Sequence, residues 1–116
     1  MSTSESLNET LVKYIQKSEF ESLLETKELF VMDCTATWCG PCRMVAPLMD
    51  KLAQEYKDRV KVVKLDIGEG ENQSVAKKYG IRSIPAVMFF NNGELSEIVV
   101  GVVPYEKFTI ALNKIL

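Results

Sequence analysis

The sequence contains no histidine. That absence removes Ser-His and Cys-His nucleophile pairs and every metal site that depends on imidazole. Cysteine is scarce too, with three in 116 residues. An odd number argues against a secreted disulfide framework, and no second Cys pair is present to complete a zinc site. No apolar run approaches the roughly 20 residues needed to cross a bilayer. Basic residues are not in excess; the formal charge is −2, so there is no footprint for nucleic acid. Met1 to Glu9 is polar and acidic and lacks the basic start and apolar core of a signal peptide. This stretch is expected to fray. The chain is expected to work in the cytoplasm, or in an organellar stroma or matrix as a processed form.

What remains is an ordinary globular balance, 47% apolar and 26% charged. Residues 1–116 are expected to form one domain, which buries about two-thirds of its unfolded surface and needs no covalent staples. Leu11 to Ile15 reads as a short strand. Ser18-Glu19-Phe20-Glu21 has the capping-box form, followed by the apolar stripe Phe20, Leu23 and Leu24 of a helix. Leu29 to Cys34 is a nearly continuous apolar run, as in a strand covered on both faces, and Asp33 interrupts it. Pro41 suits a first helical turn, and Val45, Leu48, Met49, Leu52, Ala53 and Tyr56 continue that helix with one buried face. Pro47 inside it is expected to bend it.

Val60 to Ile67 reads as the next strand, with Lys64 interrupting it. Gly68 to Glu71 reads as a loop and Asn72 to Tyr79 as a helix stopped by Gly80. Asn92-Gly93 between Ala86–Phe90 and Leu95–Val100 predicts a tight antiparallel hairpin. Gly101 ends it, and Pro104 opens a last helix carrying Tyr105, Phe108, Leu112 and Ile115. Early strands alternating with helices imply parallel pairing, and the last pair is antiparallel. The expected fold class is therefore α/β, a mixed sheet with helices on both faces.

The stretch with chemistry in it is Trp38-Cys39-Gly40-Pro41-Cys42. Its two thiols follow a strand-like run and precede a helical pattern. Disulfide-bonded Cα atoms lie within about 7 Å, and one helical turn brings positions i and i+3 that close. A thiol at the start of the helix lies at its positive end, where a thiolate is stabilised. On the residues alone, the pair is a redox couple, a structural pair or half of a metal site.

From about Leu11 to Leu116 the chain resembles the thioredoxin family. Cys-x-x-Cys beside a βαβ pattern is the recognised signature of that fold. Trp38-Cys39-Gly40-Pro41-Cys42 matches the family's own active-site sequence. Asp33, Pro47, Lys64, Ile84-Pro85, Asn92-Gly93 and Gly101 also fall where the family pattern has them. The resemblance implies a thioredoxin fold of about five strands and about four helices. It also implies a redox-active Cys39–Cys42 disulfide and reduction of protein disulfides, with the couple at the reducing end of the family.

In that resemblance Cys39 is the nucleophile and Cys42 the resolving thiol, with exposure distinguishing them because Cys39 faces the substrate. Asp33, costly in an apolar run, would lie beneath Cys42 as proton acceptor; the alternatives are a satisfied buried carboxylate or an exposed strand end. Lys64 would be its charge partner, or simply a solvated lysine. Pro85 is expected to be cis, with Ile84 holding an extended substrate strand, against the simpler reading of a turn. Gly101 would allow close approach beside that groove, or be a turn. Gly40 and Pro41 complete the substrate-facing surface, and Trp38 is a contact surface or a core aromatic.

The implied partners are disulfide-containing target proteins and a thioredoxin reductase, NADPH- or ferredoxin-linked. No bound cofactor, metal, membrane or nucleic acid is expected, and the protein should be a monomer. Two alternatives carry different chemistry. A glutathione-dependent, glutaredoxin-like enzyme is disfavoured by Gly40-Pro41 and Trp38, and a non-catalytic docking module would leave the cysteines incidental. Cys34 and Thr35 depart from the family, many of whose members carry aromatics there. Cys34 reads as a small core residue or a regulatory thiol.

Overall fold

The computed structural model describes residues 11–116. The expectation of a frayed Met1 to Glu9 lies outside them. One sheet of five strands runs through the molecule in the spatial order β1-β3-β2-β4-β5. The strands are β1 (Lys13–Ile15), β2 (Phe30–Thr35), β3 (Lys61–Asp66), β4 (Ala86–Asn91) and β5 (Glu94–Val100). The helices are α1 (Lys17–Thr26), α2 (Gly40–Glu55), α3 (Gln73–Lys78) and α4 (Tyr105–Asn113). β1 and β2 both pair with β3 in parallel, whereas β4 is antiparallel to β2 and β5. The mixed sheet and its element order match the sequence reading.

Strand periodicity explains the two layers. Successive side chains of β2 point to opposite faces. Val31 joins Val45, Met49, Leu52, Val87, Phe89 and Phe108 in the core beneath α2 and α4. Phe30, Met32 and Cys34 join Phe20, Leu23, Leu65, Val75 and Phe90 beneath α1 and α3. Both faces are covered, so all six residues of β2 are buried. Asp33 shares its face with Val31, which directs its carboxyl toward the α2 side.

Two local readings are corrected. The capping box lies two residues earlier than expected: α1 begins after Gln16, and Glu19 rather than Glu21 accepts the N-cap N–H, at 3.0 Å. Gln16 and Glu19 have the same three-residue spacing as Ser18 and Glu21, and the earlier pair lies directly after β1. The stretch read as a loop before α3 includes a 3-10 turn, Gly70–Asn72. Asn72 is a buried clamp rather than the first helical residue. Its amide accepts from Lys17 N at 2.9 Å and donates to Asp66 O at 3.0 Å and Gln16 Oε1 at 3.1 Å.

The β4–β5 hairpin turns on Asn92 and Gly93, with φ of 60° and 81°. Positive φ at both central residues is what a type I′ turn requires. α2 runs without a break through Pro47.

Candidate active site

β2, the central strand, ends at Thr35, and a short turn brings Cys39 to the start of α2. Cys39 is the N-cap, and its Sγ accepts the Cys42 N–H at 3.2 Å. Pro41 occupies the first turn, where its missing N–H breaks no helical bond. One helical turn separates the two thiols, and Cys39 and Cys42 are disulfide-bonded with their Cα atoms 5.4 Å apart.

The expectation that exposure would separate the two cysteines is not met, since Cys39 is 5% exposed and Cys42 3%. Ala36 and Ile84 pack around both. Position relative to the helix distinguishes them instead. Cys39 caps the helix, receives a backbone N–H and lies 4.0 Å from the Ile84 carbonyl oxygen. Cys42 faces inward, onto a cavity of about 270 Å³ that Asp33, Thr35, Lys64, Arg43 and Tyr14 also line.

Asp33 is 2% exposed, and its Oδ1 has no hydrogen-bond partner among the described residues. Burial pushes its carboxyl up from an ordinary 3.8 to about 7, and the positive charge of Lys64 opposes that rise. Lys64 is the register partner of Asp33 across β2–β3. Its Nζ lies 4.5 Å from the centre of the Tyr14 ring. Arg43 donates through Nη2 to the Thr37 carbonyl at 3.2 Å.

On the other side of the cysteines, the Ile84-Pro85 bond is cis. Gly101 N donates to Pro85 O at 2.8 Å, joining the end of β5 to that segment. Gly101 has φ 95°, a conformation that excludes most side chains, while open space surrounds the place of its missing Cβ. Gly40 and Pro41 are exposed beside Cys39. Trp38 is 72% exposed, which removes the reading of a core aromatic.

Tyr14, Thr35 and Arg43 line this cavity as well, although none of the three was expected in the site. Their roles depend on strand register and helix rotation, and the unusual Thr35 was the only local signal. Cys34 points to the opposite face, its Sγ 3.5 Å from Met88 Sδ. Burial, with a smaller contribution from the Asp33 charge, pushes its thiol up to about 12. Among the described residues, no cluster of three His, Cys, Asp or Glu side chains could hold a metal ion. A larger cavity, about 410 Å³, opens beside Leu29 and Val60 at the far end of β2 and β3 and contains no cysteine.

A reversible bond between two thiols one turn apart, at a helix N-terminus and beside a protonatable buried carboxyl, defines a thiol–disulfide exchange centre on an α/β scaffold. A family model described as Thioredoxin matches residues 11–114. Thioredoxin 1 of Synechococcus elongatus is 49% identical over 94 residues, covering 81% of this chain and 86% of its own length. The chloroplastic M-type thioredoxin of Pisum sativum is 48% identical over 101 residues, covering 86% of this chain and 56% of its own. The crystal structure of Malassezia sympodialis thioredoxin superposes with a TM-score of 0.79 at 33% identity, covering 90% of each chain. The chain belongs to the thioredoxin family. Its activity is thiol–disulfide exchange of the protein-disulfide reductase type.

Proposed function

We propose that Cys39 is the attacking thiol, Cys42 the resolving thiol and Asp33 the proton acceptor in reduction of target-protein disulfides. The observation that carries this reading is the asymmetry of the pair. Cys39 Sγ receives the helix N-terminal N–H, while Cys42 shares a cavity with an unpartnered buried carboxyl. A helix N-terminus stabilises thiolate at Cys39. In the dithiol form, the Cys39 thiolate attacks one sulfur of the target disulfide, and the second target sulfur leaves as thiolate. Cys42 then gives its proton to Asp33 and attacks Cys39 Sγ. The Cys39–Cys42 disulfide forms, the first target sulfur leaves, and two electrons have passed to the target.

Lys64 is the charge partner that keeps Asp33 able to release its proton again. Ile84, cis-Pro85 and Gly101 form one wall of the substrate groove, and Trp38, Gly40 and Pro41 form the other. The partners are disulfide-bearing proteins and a thioredoxin reductase, which restores the dithiol from NADPH through a flavoprotein or from ferredoxin through an iron–sulfur enzyme. The chain acts as one domain and as a monomer in the cytoplasm. An organellar stroma is the alternative, supported by the pea relative whose name places that protein in the chloroplast.

Insulin reduction by dithiothreitol, catalysed by the protein, tests the cysteine roles. Cys39→Ser should abolish catalysis. Cys42→Ser, reduced and then freed of dithiothreitol before insulin is added, should accumulate a mixed disulfide with the substrate through Cys39. Trapping through position 42 in the Cys39→Ser variant instead would reverse the assignment.

A further inference from the structure

Strand register sets three side chains in a row across one end of the sheet. Tyr14 of β1 is the partner of Lys64 on β3, and Lys64 is the partner of Asp33 on β2. Register partners on parallel strands direct their side chains to the same face. All three line the cavity that also reaches Cys42. The lysine in the middle has a carboxyl on one side and an aromatic ring on the other.

Lys64 takes the ring. Its Nζ lies 4.5 Å from the Tyr14 centroid, whereas it makes no ion pair with Asp33 within 4.0 Å. An unrestrained lysine at a cavity mouth extends its ammonium into water. A lysine in contact with the carboxylate would favour the ionised form and weaken its affinity for a proton. The ring provides a third position, within electrostatic reach of Asp33 but out of contact. Arg43, the other cation lining the cavity, is committed to the Thr37 carbonyl. From β4 the residue facing Asp33 is Val87, which carries no charge, and α2 contributes Cys42.

We infer that Tyr14 is a positioning residue for the exchange reaction: its ring holds the Lys64 ammonium at the mouth of the cavity, where the charge acts on Asp33 without pairing with it. This rests on Asp33 being the proton acceptor for Cys42. Tyr14 is 55% exposed on an edge strand, so burial of its ring does not explain its place. The face of an aromatic ring attracts a cation within about 6 Å, and the hydroxyl is not needed for that attraction. Phenylalanine should therefore serve in its place and leucine should not.

The test is a carbon-13 NMR titration of the Asp33 carboxyl in the oxidised protein. It compares the wild type, Tyr14→Phe, Tyr14→Leu, Lys64→Met and the Tyr14→Leu/Lys64→Met double variant. Tyr14→Leu should move the Asp33 midpoint upward by roughly half a pH unit, because the ammonium moves off into water. Tyr14→Phe should leave the midpoint unchanged, and Tyr14→Leu should have no further effect in the Lys64→Met background. Equal shifts in the Phe and Leu variants, a shift that persists without Lys64, a downward shift or no shift in Tyr14→Leu would each overturn the proposal. A wild-type midpoint in the ordinary carboxylate range would instead remove Asp33 as proton acceptor, a distinguishable failure of the reading beneath it.

Discussion

Asp33 and Lys64 face each other as register partners on adjacent parallel strands, yet their charges do not meet in an ion pair. Desolvation therefore outweighs the lysine's attraction, and the carboxyl is poised near neutrality instead of being held ionised. A proton acceptor is most useful when its affinity matches the working pH. Under the proposed roles, the separation of the two charges suits Asp33 to receive the Cys42 proton and to lose it again.

The same separation makes stability depend on pH. The folded carboxyl keeps its proton up to about 7, whereas in the unfolded chain it titrates near its ordinary 3.8. The folded state thus binds the extra proton between those values, so stability falls as pH rises through that window and levels off above it. A shift of this size corresponds to at most about 4 kcal/mol. Asp33→Asn should flatten the profile and raise stability at pH 8 relative to the wild type, by up to that amount. Guanidinium unfolding at pH 4 and pH 8 checks this; a wild-type profile flat from pH 4 to 8 would contradict it.

Cys34 should be inert in the folded protein. With its thiol pushed up to about 12, roughly one molecule in 10⁴ carries the thiolate at pH 8, and the side chain is fully buried. Iodoacetamide applied to the oxidised protein should label Cys34 only after denaturant is added. Cys34→Ala should retain full insulin reductase activity at a stability cost of about 1 kcal/mol. Labelling of the native oxidised protein would restore the reading of a regulatory thiol.

Trp38 rests against Gly68, where a Cβ would lie 3.2 Å from Trp38 Nε1 and 3.3 Å from Asp66 Oδ1. Gly68→Ala should therefore push the indole outward. The ring is already mostly exposed, so stability should change by less than about 0.5 kcal/mol. The emission of Trp38, the sole tryptophan, should shift, and KM for insulin should rise severalfold with kcat retained. Unchanged emission and unchanged KM would show that the contact has no part in substrate docking.

The elements were legible because each carries its own periodicity. β2, buried along its whole length, reads as a nearly continuous apolar run interrupted at Asp33, and Asn92-Gly93 announces its hairpin. The helix that Cys39 caps is marked by Pro41 and by an apolar face that repeats along α2. Boundaries were less legible. Gln16-Glu19 and Ser18-Glu21 are equally spaced candidates for one capping box, and only the end of β1 selects between them. Asn72 looked like an ordinary helix start because its three partners lie in α1, in the residue before it and at the end of β3.

The sequence by itself determined where the chemistry sits. Two thiols at i and i+3 beside a helix start can close a disulfide without any tertiary contact, because that spacing is local, and the resemblance of Trp38-Cys39-Gly40-Pro41-Cys42 to the thioredoxin family implies disulfide exchange there. Tertiary structure decided how the two thiols differ. Their exposures are nearly equal, so the distinction comes from which sulfur caps the helix and which shares a cavity with Asp33. It also decided the company Lys64 keeps. Register across three strands brings Tyr14, Lys64 and Asp33 into one row, although 19 positions separate Tyr14 from Asp33 and 31 separate Asp33 from Lys64 in the chain. The buried pattern of each strand fixes which face its side chains take, but which strands lie side by side is decided by the packed fold, and no single stretch of sequence shows it.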